Sequence, residues 1–185
     1  LDRALPVARL QDHFDIGEPP VSVFPSPLDP DTLTEEDGFG FVGLPDSETG
    51  HDVTIAGDVN GDGFDDLLVG SDALEDDSAA AAAGRQAYLI YGTDQGVPAL
   101  RSPADLDGVS GTVLRGGVPA GAGYSVAAAG DVNGDGLDDF IVGAPTSGLL
   151  TTQAPGAAFV VFGDASGFGP DLDLTALAPD EGFRR

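Results

Sequence analysis

The stretch VTIAGDVNGDGFDDLLVG at residues 53–70 returns as VAAAGDVNGDGLDDFIVG at residues 126–143, an offset of 73. The same offset carries Leu33 onto Leu106, Gly38 onto Gly111 and Gly50 onto Gly123. A strand-like run ending in an aromatic residue recurs at 88–91 and 159–162, with a weaker form at 21–24. Leu177, Gly182 and Phe183 then restate Leu33, Gly38 and Phe39. Self-similarity at this period marks a repeat architecture, in which each unit buries its apolar face against its neighbour.

Within one period the short runs 39–43, 51–56, 66–70 and 86–92 read as strands, and the second period supplies 112–115, 124–129, 139–143 and 157–163. Each is rich in Val, Ile, Phe or Tyr and bounded by Gly, Pro, Asp or Asn. Four strands per period predicts an all-β chain, either propeller blades of four antiparallel strands or a sheet solenoid. Residues 21–110 are expected to hold the first repeat with part of a preceding blade. Residues 111–185 would hold the second repeat with the start of a further one. Residues 1–20 match no other segment and read as linker or the eroded end of an earlier blade. The five-Ala run 79–83 reads as part of a long loop, 71–85, rather than as a helix.

Composition narrows the function. Among 185 residues, 32 Asp plus Glu face 7 Arg and no Lys, for a formal net charge of -25. A nucleic-acid surface needs a basic face to displace counterions, so that class is excluded, and an anionic membrane surface is disfavoured for the same reason. Hydrophobic residues make up 41% of the chain, too many for a disordered acidic tail. No run approaches the roughly 20 apolar residues of a membrane-spanning helix, and no basic-then-apolar opening reads as a signal peptide. Cys is absent, which removes disulfides, thiolate chemistry and Cys-based zinc sites. Met is absent too and the chain opens at Leu1, so it reads as a mature product or an excised piece. Asp outnumbers Glu 26 to 6, a balance that suits high salt or high calcium but also follows from a genome rich in Ala, Gly, Asp and Arg codons.

The chemistry lies in the loop 58–66 and its copy 131–139. Asp58, Asn60, Asp62 and Asp66 place side-chain oxygens at positions 1, 3, 5 and 9, glycine stands at position 6, and Phe64 at position 7 can offer its carbonyl. Asp131, Asn133, Asp135, Leu137 and Asp139 repeat the set. Calcium takes six to eight hard oxygen ligands in irregular geometry, whereas magnesium demands a near-ideal octahedron and zinc prefers His or Cys. Two calcium ions are therefore expected. A single such motif also occurs as a solvated turn in which Asn and Asp cap their own backbone; two copies in register, each between strands, favour the metal. An EF-hand would need Glu at position 12, where Val69 and Val142 stand instead. Asp65 and Asp138 are expected to face solvent or to begin the next strand rather than to complete the coordination shell.

The run Gly123-Tyr124-Ser125-Val126, the acidic loop, residues 139–145 ending in Gly143-Ala144-Pro145, and 156–163 together resemble the FG-GAP repeat. That repeat is the blade of integrin alpha-subunit N-terminal β-propellers and of many bacterial extracellular proteins. The likeness covers about residues 21–185, although Thr49 and Ala122 replace the Phe of "FG" and Gly70-Ser71-Asp72 replaces "GAP" in the first copy. It implies an incomplete propeller with calcium loops between the first and second strands of each blade. It also implies ligand binding on the opposite face, from 71–85, 144–155 and the turns before Gly50 and Gly123. The expected role is extracellular or cell-surface adhesion or recognition of a protein or glycan, alongside further blades of the same parent chain. The alternatives are a structural or carbohydrate-binding module of a large secreted protein, or an accessory domain of a secreted hydrolase. Catalysis by this stretch is not expected: the histidines are His13 and His51, the latter inside a strand, and the Asp pairs are taken up by the loops.

Overall fold

The computed structural model describes residues 34, 38–72, 85–95, 98–116, 121–145 and 156–184; the expected features at 1–20, 21–24 and 79–83 lie outside the described residues. Among the described residues the fold is β apart from one 3-10 turn. In chain order the strands are β1 (Gly40–Phe41), β2 (Thr49–Gly57), β3 (Asp66–Ser71), β4 (Gln86–Ile90), β5 (Leu100–Arg101), β6 (Gly111–Arg115), β7 (Ser125–Gly130), β8 (Asp139–Ala144), β9 (Ala157–Val161), β10 (Asp171–Asp173) and β11 (Gly182–Arg184), with one 3-10 turn at Pro103–Asp105. Among the described residues no helix is long and apolar enough to cross a membrane.

Two antiparallel sheets carry the architecture of an incomplete propeller. Blade 1 is β2-β3-β4-β6 and blade 2 is β7-β8-β9-β11. The sheet is phased one strand later than the sequence period, because β6, which opens the second repeat, pairs with β4 of the first. Gly111, Val113 and Arg115 therefore complete blade 1, and β11 does the same for blade 2. Two short strands escape the sequence reading. β10 adds to the edge of blade 1 parallel to β6, and β5 runs parallel to β1 in the corresponding way. Segments of two or three residues have no room to display a period-2 pattern, so they leave no readable signal.

Alternation along the strands sorts each blade into two faces. In blade 1 the rows Thr54-Leu68-Leu89-Thr112 and Gly70-Ala87-Leu114 share one face, and Val53-Val69-Tyr88-Val113 the other. Leu68, Leu89 and Leu114 join Phe140, Val142, Phe159 and Val161 of blade 2 in one buried cluster. All seven are fully buried, each worth about 1.5–3 kcal/mol relative to exposure. The second face of blade 1 is covered by the segment before β2: Phe39 and Phe41 pack on Val69, Tyr88, Ile90 and Val113, with the Phe41 and Tyr88 rings 5.0 Å apart.

The two inner strands, β2 and β7, lie side by side, and the turn before β7 is held tightly. A Cβ at Gly123, where φ is +104°, would lie 2.2 Å from the Gln86 carbonyl oxygen, whereas a Cβ at its repeat partner Gly50, φ +92°, meets nothing within 4 Å. Both substitutions to Ala carry the left-handed backbone penalty of about 1–2 kcal/mol. Gly123→Ala is expected to cost about 1–3 kcal/mol beyond Gly50→Ala through the added collision, read as the difference in urea midpoint at unchanged m-value.

Candidate metal centre

Blade 1 leaves β2 through residues 58–65 and re-enters the sheet at Asp66, and blade 2 does likewise through 131–138 and Asp139. One hydrogen-bond scheme closes both loops. Asp58 Oδ1 accepts from the N–H groups of Gly61 at 2.7 Å and Asp62 at 3.0 Å, and Asp58 Oδ2 accepts from Gly63 at 2.9 Å. Asn60 Oδ1 accepts the Asp62 N–H at 3.0 Å while its amide donates to Asp62 Oδ2 at 2.9 Å. Asp62 Oδ1 accepts the Phe64 N–H at 2.9 Å. In the copy, Asp131 takes the N–H groups of Gly134, Asp135 and Gly136, Asn133 bonds Asp135 in both senses, and Asp135 takes the Leu137 N–H. Short acidic side chains are chosen here because a turn this tight leaves its amides without backbone acceptors.

Asp66 does a different task. It is 1% exposed, and its two oxygens accept the N–H of Val59 at 3.0 Å and of Gly92 at 2.9 Å. One carboxylate thus ties the start of the loop to β3 and to the exit of β4. Asp139, fully buried, repeats this with Val132 at 2.7 Å and Gly163 at 2.8 Å. Burial pushes the Asp66 carboxyl up from 3.8 to about 6; the Gly92 and Val59 N–H groups oppose the rise, and the negative charges of Asp62 and Asp58 add to it.

Direct bonds join Asp58, Asn60 and Asp62, and Asp66 meets the same turn through Val59. Phe64 and Leu137 donate their N–H groups to the Asp at position 5; the Phe64 side chain is exposed. Among the described residues no group of three or more His, Asp or Glu side chains is gathered as a ready-made metal cage. The donor set nevertheless suits a hard dication. A carboxylate offers about four lone-pair sites, of which Asp58 uses three and Asp62 and Asp66 two each, so every ligand position keeps acceptor capacity. The ion pairs formed by Arg85 and Arg115 go to Asp72 and Asp171, leaving the loop carboxylates without a cation of this chain among the described residues.

Asp138 departs from expectation. Rather than facing solvent or merely starting β8, its Oδ2 accepts the Asp58 N–H at 3.0 Å and its own N–H donates to the Asp58 carbonyl at 3.1 Å. The cause is blade packing, which sets position 8 of the second loop against position 1 of the first. Asp65, its repeat partner, is exposed. Asp52 also bridges the blades, accepting the Val126 N–H at 2.8 Å. Its repeat partner is Ser125, so no repeated residue betrays it, whereas the Asp65/Asp138 identity was visible outside the ligand positions. His51 lies in β2, exposed, with its ring 5.1 Å from that of Tyr124.

Residues 122–161 match the FG-GAP repeat. Over 127 residues the chain is 38% identical to the phosphatidylinositol-glycan-specific phospholipase D of Bos taurus, covering 69% of this chain and 14% of that protein. It is 36% identical over 124 residues to integrin alpha-IIb of Mus musculus, covering 65% of this chain and 11% of the integrin. With integrin alpha-6 of Homo sapiens it shares 29% identity over 139 residues, 74% of this chain and 11% of that one. The chain thus spans about a seventh or less of the length of these relatives.

Replacing Asp66 by Ala leaves the buried Val59 amide and the half-buried Gly92 amide without their acceptor, at about 1–3 kcal/mol for the first and less for the second, so a loss of about 2–4 kcal/mol is expected in chemical denaturation of the metal-free protein. The charge state gives a second test. A carboxyl raised to about 6 in the fold against 3.8 unfolded contributes stability that is complete below about 3.8 and lost as pH rises through 6. Carbon-detected titration of the metal-free chain is expected to place the Asp66 midpoint near 6, and Asp66→Asn is expected to flatten the stability profile across that window.

Proposed function

We propose that this chain, an FG-GAP propeller segment of the integrin alpha-like kind, binds one calcium ion in each acidic loop and serves adhesion or protein and ligand recognition outside the cell. The observation that carries this reading is the duplication of a single all-oxygen scheme, hydrogen bond for hydrogen bond, at the same point of two blades. Asp58, Asn60, Asp62, Asp66 and the Phe64 carbonyl would hold one ion; Asp131, Asn133, Asp135, Asp139 and the Leu137 carbonyl would hold the other. A bound dication neutralises the mutual repulsion of the loop carboxylates and turns each loop into a rigid hinge between two strands. Stabilisation of this kind scales with free metal, about 2.7 kcal/mol at a hundredfold excess over Kd, and suits the millimolar calcium of extracellular fluid.

The recognition face in this reading is the opposite end of the inner strands. There the His51 and Tyr124 rings lie 5.1 Å apart with Tyr124 45% exposed, and Arg85 pairs with Asp72 at 3.5 Å. Further blades of the parent chain are proposed to cover Val53 and Ile55, 57% and 62% exposed on β2, since their face corresponds to the face of blade 2 that blade 1 buries. A second reading, an accessory module of a secreted hydrolase, draws on the alignment with a phospholipase D of which this stretch is 14%.

Calorimetric titration of chelator-treated protein is expected to give two calcium ions per chain, with magnesium a poor substitute, and EDTA is expected to lower the Tm by several degrees. An unchanged Tm together with no bound calcium would reduce the loops to hydrogen-bonded turns and sink the proposal.

A further inference from the structure

The two loops share a sequence but not a setting, and the difference lies in what blade 2 does to blade 1. Three hydrogen bonds reach the start of the first loop from across the blade interface. Asp138 Oδ2 accepts the Asp58 N–H at 3.0 Å, the Asp138 N–H donates to the Asp58 carbonyl at 3.1 Å, and the Asp164 N–H donates to the Val59 carbonyl at 2.9 Å. The carboxylate occupies the space beside Gly57, where a Cβ would stand 2.2 Å from Asp138 Oδ2, and Leu137 closes over Gly61 in the same manner at 3.0 Å. At the second loop the equivalent glycines, Gly130 and Gly134, have nothing within 4 Å of a built Cβ. Among the described residues the backbone of Asp131 has no counterpart to these bonds.

We infer that Asp138 is a positioning residue for the first loop, a clamp supplied by the neighbouring blade that fixes the residue at position 1. The inference rests on the calcium reading above, but its structural half does not. Asp58 is the side chain that accepts three of the loop's amides, so its main chain sets the direction of the whole turn. With both its N–H and its carbonyl held by residue 138, and the next carbonyl held by Asp164, the turn cannot rotate without breaking bonds across the interface. A ligand set held in its bound geometry beforehand loses less on binding. Asp138 acts here through the Asp58 main chain and is not assigned to the ligand set.

The test separates a clamp from a charge. Asp138→Ala removes both the acceptor and the negative charge, whereas Asp138→Asn removes the charge and keeps an oxygen that can accept the Asp58 N–H. Calcium is titrated into the full chain while the amide signals of Gly61 and Gly63 report the first loop and those of Gly134 and Gly136 the second. Asp138→Ala is expected to weaken the first loop roughly tenfold and the second less than threefold, and Asp138→Asn to restore most of the loss. If both substitutions act alike, or the second loop weakens as much as the first, simple charge accounts for the effect and the clamp is overturned. Hydrogen exchange on metal-free protein decides the structural half: the Asp58 amide is expected to lose at least tenfold of its protection in Asp138→Ala and to keep most of it in Asp138→Asn. An Asp58 exchange rate unchanged by Asp138→Ala would refute the clamp outright. If no calcium binds at all, the proposed function fails, and the exchange measurement still judges Asp138.

Discussion

The blade depends on a buried carboxylate with two amides to satisfy. Asp66, at the first residue of β3, accepts N–H groups from Val59 and Gly92, which belong to the loop after β2 and to the exit of β4. Three segments that are distant in sequence therefore converge on one side chain in the protein interior, where an unpaired amide is costly. A Leu in that place could pack but could not terminate the ladder, and the chain on either side would lose its registration. The identical use of Asp139 in blade 2 makes the arrangement a rule of this repeat rather than a local accident. The cost is a carboxyl in a desolvated place, aggravated by the charges of Asp62 and Asp58.

Blades packed face to face need more than apolar burial, because leucines and phenylalanines alone would tolerate sliding. Polar bridges at both ends of the inner strands remove that freedom: Asp52 to Val126 at one end, and Asp138 to Asp58 at the other. Between them lies the cluster of Leu68, Leu89, Phe140, Val142, Phe159 and Val161. Fixing position at two separated points, with non-directional burial in between, is how a repeat protein gains a defined angle between units. The close approach also explains small residues at the contact, since a Cβ at Gly70 would lie 2.2 Å from the Gly123 carbonyl oxygen.

Most of the fold could be read from the residues because its signals are local or repeated. The runs around 53, 66, 86, 126, 139 and 157 are rich in Val, Ile, Phe or Tyr and bounded by Gly, Pro, Asp or Asn, and each stands in a strand. The phase of the sheets was not legible. Which repeat β6 belongs to depends on its pairing with β4, a long-range choice that no pattern within residues 111–115 records. The loops themselves were plain from composition and spacing, but the expected environment of Asp138 was wrong, because a carboxylate next to a ligand position looks solvent-facing until a second blade is laid against it. Asp52 was missed for a related reason: its acceptor role toward Val126 crosses 74 residues and has no echo at Ser125.

The likeness of the two repeats therefore records two different demands. Asp58, Asn60, Asp62 and Asp66 recur for reasons internal to a blade, as the hydrogen bonds closing each loop account for them without reference to any neighbour. The pair Asp65 and Asp138 is not explained in that way, since the first is exposed and the second holds the adjoining blade. A blade placed before blade 1, as blade 1 stands before blade 2, would bring its own loop amide to Asp65 and remove the discrepancy. Charge argues alongside: eight of the 32 acidic residues lie in the two loops, and two dications would offset only four of the 25 net negative charges. The hydrogen bonds that close each loop and the blade contact of Asp138 account for seven of those eight carboxylates; outside the loops, Asp52, Asp72 and Asp171 also have fixed partners in the Val126 amide, Arg85 and Arg115.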